Sequence, residues 1–261
     1  MTRRGRELQR GETCRRGYGL IWRPDLIDPV AHAKAYPFPA PDHSYVFEAG
    51  NWSPLENDDF DVTGRMPVLA AGSNQSPEQL ARKYADLPDI GPIPVIRGRL
   101  GDFDVVYAAH LAGYGSMPAT FQKSPGTIVS VFVAWFTDPQ LQRMHETEGN
   151  YSYDRLTDVW LETNYGQCPQ EVFAYTAKVG CYNHKGGCLS LAEISATDRK
   201  FPSATQSEAQ GYLRDRLAVG TDLDKFVAEH IEDNVVRVGR VAAMRADAIE
   251  IGYPREPILL L

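Results

Sequence analysis

Residues 68–84 read VLAAGSNQSPEQLARKY, and the fold turns on how this stretch is parsed. An apolar run ends at Ala71, Gly72-Ser73-Asn74 breaks it, and a helix pattern begins at once. Ser76 is placed to cap that helix, with Pro77 at its first position and Gln79 three residues on, the pattern of a capping box. MPVLAA, before the break, reads as a short buried strand. A strand, a glycine-bearing loop and a helix start in succession form either a plain turn or a loop whose backbone N–H groups hold a ligand.

Working outward, PVIRGRL and DFDVVYAA are strand-like runs that a tight turn at Gly101-Asp102 would join. TIVSVFVAWF is apolar on both faces, which places it centrally in a sheet or barrel. DPQLQRMHETEG reads as a helix, with Asp138 as cap, Pro139 at the first position and Gly149 as stop. TDVWLET and EVFAYTA add two strands. Residues 203–231 carry two helical stripes, the second capped by Thr221, and VVRVGRVAAM reads as one or two late strands. This order specifies an α+β fold, a mixed sheet or barrel core flanked by helices, rather than a doubly wound one. Residues 1–65 are rich in Pro, Gly and Asp and lack periodicity. They read as an irregular extension that wraps loosely on a domain spanning 66–261, its aromatics Tyr36, Phe38, Tyr45, Phe47 and Trp52 arguing against full disorder.

The chain has 261 residues and a net charge of −7, which disfavours non-specific nucleic-acid binding. Seven Arg and two Glu leave residues 1–23 at +5 and the remainder at −12; the arm reads as a solvated tail. Four Cys are too few for a disulfide scaffold at this length. No apolar run reaches the ~18 residues of a membrane helix, and no apolar segment follows the first arginines as in a secretory signal. A cytoplasmic protein with no membrane partner is expected.

The helix at 138–149 holds the main clue to chemistry. Leu141, Met144, His145 and Glu148 fall on one face, with Glu146 on the other. The stripe that should meet the core thus ends in a carboxylate. Burial and the helix C-terminus both penalise a negative charge there, and a carboxylate tuned toward neutrality suits general acid–base work. The structural alternative is that Glu148 reaches solvent or pairs with an arginine such as Arg155.

With both stretches in view, the chain resembles the γ-glutamylcyclotransferase-like superfamily. AAGSNQSPEQL resembles its first strand, Gly-Ser-Asn loop and first helix; RGRLGDFDVVY its next hairpin; ATFQKSPGTIVSVFVAWF its Ala-Thr segment, Pro-Gly turn and long central strand; LQRMHETEGNYSYDRL its helix ending in the catalytic Glu-Gly. The likeness covers residues 66–180, is vaguer over 203–231 and is absent over 1–65. The resemblance implies that amides around Gly72, Ser73 and Asn74 bind a γ-glutamyl group and that Glu148 is the acid/base. It further implies that Tyr153, with Tyr151 as rival, and Tyr175 line the pocket. Two departures stand out. Ala71 occupies the position of the family's usual tyrosine, and GYGLIWRP at 17–24, like the opening motif of a glutathione-specific branch, lacks that motif's serine and lies too far from Glu148.

Cys181, His184 and Cys188 have types that suit zinc, but a fourth ligand is not evident, and the Gly-rich segment reads as a mobile loop. Gly113-Tyr114-Gly115-Ser116 lacks a Walker lysine and reads as a lid. No G-x-S-x-G nucleophile motif is present. The leading expectation is cyclisation of a γ-glutamyl amino acid or amine to 5-oxoproline and a free amine, with no cofactor and no metal. The alternatives are a non-catalytic small-molecule binding module on the same fold and amide hydrolysis by water. The sequence does not specify the leaving amine or the oligomeric state.

Overall fold

The computed structural model describes residues 18–19, 28–55, 60–164, 169 and 171–259. The basic arm before Tyr18, Cys14, Cys168 and most of the 17–24 motif lie outside those residues. In chain order the strands are β1 (Tyr18–Gly19), β2 (Tyr45–Glu48), β3 (Asn51–Pro54), β4 (Met66–Ala70), β5 (Ile93–Tyr107), β6 (Ala119–Phe136), β7 (Tyr151–Leu156), β8 (Trp160–Thr163), β9 (Val172–Ala177), β10 (Ser190–Leu191), β11 (Ala196–Thr197), β12 (Ser203–Ala204) and β13 (Arg255–Pro257). The helices are α1 (Pro29–Lys34), α2 (Pro77–Lys83), α3 (Asp138–Thr147), α4 (Gln206–Leu217), α5 (Leu223–Glu232) and α6 (Asn234–Arg245). The architecture is α+β, as the sequence specifies.

The sheet runs β1-β3-β2-β5-β6-β4-β9-β7-β13. It is mixed: β4 is antiparallel to β6 and parallel to β9. This burial between two neighbours explains why MPVLA is apolar without alternation. Alternate residues of the central strands feed opposite faces. Leu69, Ile96, Val131 and Val133 join a core shared with Ala209, Leu213, Phe226 and Met244 of α4–α6. Val68, Ala70, Val95, Phe132 and Ala134 join one shared with Leu80 of α2 and Leu141 and Met144 of α3.

Several expectations are corrected. No hairpin forms at Gly101-Asp102. Asp102 takes φ +62° in a bulge, and β5 continues past it with a register shift between Gly101 and Phe103. The Pro125-Gly126 step is likewise no chain reversal, because Gly126 at φ +82° lies inside β6 and its amide donates to Asp102 Oδ1 at 2.8 Å. The reversal between β5 and β6 lies at 108–118 instead. Ser76 is the N-cap of α2, with Pro77 at the first position as expected, but the capping-box bond is absent: its hydroxyl donates instead to the Pro39 carbonyl at 2.8 Å. Thr137, not Asp138, is the N-cap of α3, with the Gln140 side chain accepting the Thr137 amide at 2.9 Å. Asp222, not Thr221, caps α5.

VVRVGRVAAM forms helix α6, not strands. Asp233 caps it by accepting the amides of Val235 and Val236, so the β-branched residues stack at helical spacing and leave Val235 and Val238 exposed. Residues 29–54 do not wrap loosely. β2 pairs with β5 and β3 with β2, and Tyr36, Phe38, Tyr45 and Phe47 are buried. Prolines that mask periodicity here sit between elements or at their ends.

Candidate active site

β4 delivers Ala71 and the following loop to one end of the sheet. Ser73–Gln75 form a single 3-10 turn, pinned where the Tyr45 hydroxyl donates to the Gln75 carbonyl at 2.7 Å. The loop approaches its neighbours closely. A Cβ on Gly72 would lie 2.4 Å from the Tyr36 hydroxyl and 3.2 Å from Ala119 Cβ, so a side chain there has no room. Ala71 brings no phenol to this spot, but Tyr36 does: its buried hydroxyl accepts the Ala119 amide at 2.8 Å. Among the described residues the amides of Gly72 and Asn74 donate to no acceptor.

α3 ends at Thr147 with Glu148 as its C-cap, and the inward stripe predicted by spacing is present: Leu141 and Met144 are buried and Glu148 follows them. Glu148 does not meet Arg155, whose guanidinium pairs with Glu171 and Glu256 on the surface. Its Oε1 accepts from the Lys83 ammonium and from Asn74 Nδ2, the latter at 2.9 Å. A carboxylate only accepts, so the Asn74 amide is fixed with Nδ2 toward Glu148. Asn74 Oδ1 is consequently buried without a partner, and Glu148 Oε2 makes no hydrogen bond among the described residues.

Lys83 joins the site without any signal in the spacing of the sequence. It is 5% exposed, and its ammonium also contacts Met144 Sδ at 3.1 Å. Burial pushes its pKa down, and the neighbouring Glu148 charge pulls it back up. A basic residue in the last turn of a short helix normally reads as a solvated end, so spacing offered no signal for it.

These groups surround one cavity of about 480 Å³, in the range of small-molecule sites. Gly72, Ser73, Asn74, Lys83, Glu148 and Tyr175 all line it, so residues far apart in sequence converge there. Tyr153 does not. It is buried against Phe173, their rings stacked at 5.1 Å, while Tyr151 lines the cavity and donates its hydroxyl to the Ala119 carbonyl at 3.0 Å. The two tyrosines share one face of β7, and the cavity ends short of the farther one. Tyr175 bonds His145 Nδ1 at 2.7 Å. Burial raises the pKa of Tyr36, Tyr151 and Tyr175, which keeps these phenols neutral at physiological pH. His110 also lines the cavity; burial, aided by Arg245, pushes its pKa down to about 4.

Two basic residues, Arg82 and Lys83, and one acidic residue, Glu148, are the Arg, Lys, Asp or Glu side chains of the lining. The Arg82 guanidinium lies over the Tyr114 ring at 5.2 Å, and its Nε donates to Gln79 Oε1.

Gly113 and Tyr114 form one wall of the cavity, but their loop is packed rather than loose. The Gly115 carbonyl accepts Gln210 Nε2 and contacts His230 Nε2, both at 2.9 Å. Because Arg240 donates to His230 Nδ1, the ring carries its proton on Nε2 and donates it to Gly115.

Among the described residues, no group of three or more His, Cys, Asp or Glu is placed to hold a metal, and no helix is long and apolar enough to cross a membrane. Cys181 and Cys188 are buried with both sulfurs facing Gln122 Nε2, at 3.5 and 3.8 Å, whereas His184 packs on the Tyr212 ring at 4.5 Å.

No family model matches the chain, and no curated protein does. Among solved structures, one titled "Gamma-glutamyl cyclotransferase" aligns over 72% of this chain and 90% of its own, with 16% identity and a TM-score of 0.34. A likeness that low leaves the chemistry to be read from the side chains.

Proposed function

We propose that the cavity cyclises a γ-glutamyl substrate to 5-oxoproline with release of a free amine. The observation that carries this reading is the pair of unengaged acceptors at the cavity wall, Glu148 Oε2 and Asn74 Oδ1, beside loop amides that donate to nothing else among the described residues. A cationic amine fits the acceptors, and an oxyanion or carboxylate fits the amides. A γ-glutamyl group carries both within one short molecule.

In this reaction Glu148 takes a proton from the α-ammonium. The freed amine attacks the γ-carbonyl and a C–N bond forms; the attacking nitrogen then sheds a second proton, the original amide C–N bond breaks, and the leaving nitrogen takes up both protons, passed through Glu148 one after the other, to depart as an ammonium. Nucleophile and electrophile share a molecule, so the protein mainly selects a folded conformer. The reading assigns substrate contacts to Gly72, Ser73, Asn74 and Tyr175, replaces Tyr153 by Tyr151, requires no cofactor, and keeps the cytoplasmic location expected from the sequence.

A second reading, a binding module without turnover, is favoured by Lys83, whose ammonium already neutralises Glu148. Incubation with a panel of γ-glutamyl amino acids and amines, followed by chromatography for 5-oxoproline, separates the two. Product above the level given by Glu148→Gln supports cyclisation. Saturable binding without product supports the module.

A further inference from the structure

We infer that Lys83 is a positioning residue: with Asn74 it fixes one oxygen of Glu148, Oε1, and so reserves the other, Oε2, for the substrate. Its kinetic consequence rests on the cyclisation proposed above; its structural consequence does not. Both donors converge on Oε1, and none among the described residues reaches Oε2. A carboxylate held on one side cannot rotate to exchange its oxygens, so the proton acceptor has one location.

Lys83 suits the task for three reasons. It is buried, so its ammonium cannot swing away to solvent. Its contact with Met144 Sδ at 3.1 Å fixes the ammonium from a residue of the same helix that carries Glu148. It also places a positive charge beside a carboxylate at a helix C-terminus, where unbonded carbonyls oppose negative charge. Without it, Glu148 would be a mostly buried carboxylate held by one amide.

A double-mutant cycle of Lys83→Met, Glu148→Gln and the pair, read by thermal melting, tests the contact directly. Each single change should lower the melting temperature, and the pair should lower it by less than the two together, because neither leaves the other's charge stranded. Strict additivity overturns the inference whatever the activity. The kinetic arm follows 5-oxoproline release. Lys83→Met should lower kcat by about 100-fold, the scale of a small misplacement of a catalytic group, with KM changed by less than about threefold.

Lys83→Ala should recover kcat saturably with propylammonium and not with propanol. Equal rescue by propanol, or an unchanged kcat in Lys83→Met, overturns a positioning role. If the methionine variant does not fold, Lys83→Arg takes its place and should retain more kcat than Lys83→Ala without added amine; the reverse order overturns the inference. Should the wild type release no 5-oxoproline while the melting cycle shows coupling, the reaction proposed above fails and the pinned carboxylate stands.

Discussion

At the scale of the residue, the inward placement of Glu148 was legible because a carboxylate ended an apolar stripe. Its partner was not, because whether Lys83 turns inward depends on what packs over α2, and local spacing carries no trace of that. Glu148→Gln should cut turnover of a γ-glutamyl substrate by about 100-fold or more, as expected for loss of a general base. It should also lower the melting temperature measurably, since Lys83 is left as a buried cation without its anion. Glu146, exposed and bridged to Arg143, should tolerate the same change with little effect on either readout. Gly72→Ala should reduce kcat/KM sharply, because its Cβ meets the fixed Tyr36 hydroxyl and the loop must move; unaltered kinetics would show that the loop geometry is not needed.

His110 supplies the pH dependence. Folded, its pKa is pushed down to about 4 by burial, against an ordinary value near 6.5. As pH falls through about 6.5, the unfolded chain takes up a proton that the folded one refuses. The stability owed to neutral His110 is therefore complete above about pH 6.5 and is lost progressively down to about pH 4. His32, His145 and His230, also shifted down by burial, act in the same sense. The melting temperature should drop between pH 7 and pH 5, and His110→Phe should make that drop smaller.

At the scale of the element, periodicity gave α3, β4 and the central strand β6, all long or strongly apolar. It failed for α6, where the β-branched residues Val235, Val236, Val238 and Val241 favour a strand by composition. The decisive signal was the Asp233 cap, and the inward face joins Val241 and Met244 to two arginines that read as solvent-facing. Arg237 donates to the His230 carbonyl, and Arg240 donates to the Phe226 carbonyl and pairs with Glu229. The helix thereby reaches the cavity wall indirectly, through His230 and Gly115. His230→Ala should speed amide hydrogen exchange across residues 112–116 and weaken substrate binding without touching the cavity itself. Unchanged exchange in that loop would show that Gln210 alone holds it.

At the scale of the whole molecule, the α+β class was legible, but the contribution of the N-terminal segment was not. Its strands are only two to four residues long, and prolines crowd the stretches between its elements. Removing residues 1–27 takes away only the short pairing of β1 with β3 among the described contacts, and should leave a cooperative melt. Removing residues 1–55 should abolish folding. It strips out buried Tyr36, Phe38, Tyr45 and Phe47 at about 1.5–3 kcal/mol each, comparable with the roughly 5–15 kcal/mol that stabilises a whole domain. Circular dichroism of the two truncations distinguishes these outcomes.

The parallel pairing of β4 with β9 has a consequence for how the molecule comes into being. β5 and β6 are neighbours along the chain and can zip together early, since closing a short loop costs little entropy. β4, which carries the Gly-Ser-Asn loop, pairs on one side with β6 and on the other with β9, and β9 is synthesised long after it. On the ribosome, the strand that leads into the cavity's Gly-Ser-Asn loop therefore waits with one open edge through the production of α3, β7 and β8. The cavity gains its Tyr175 wall only after β9 has cleared the exit tunnel, so a nascent chain stalled before β9 has its loop and its Glu148 but lacks that wall.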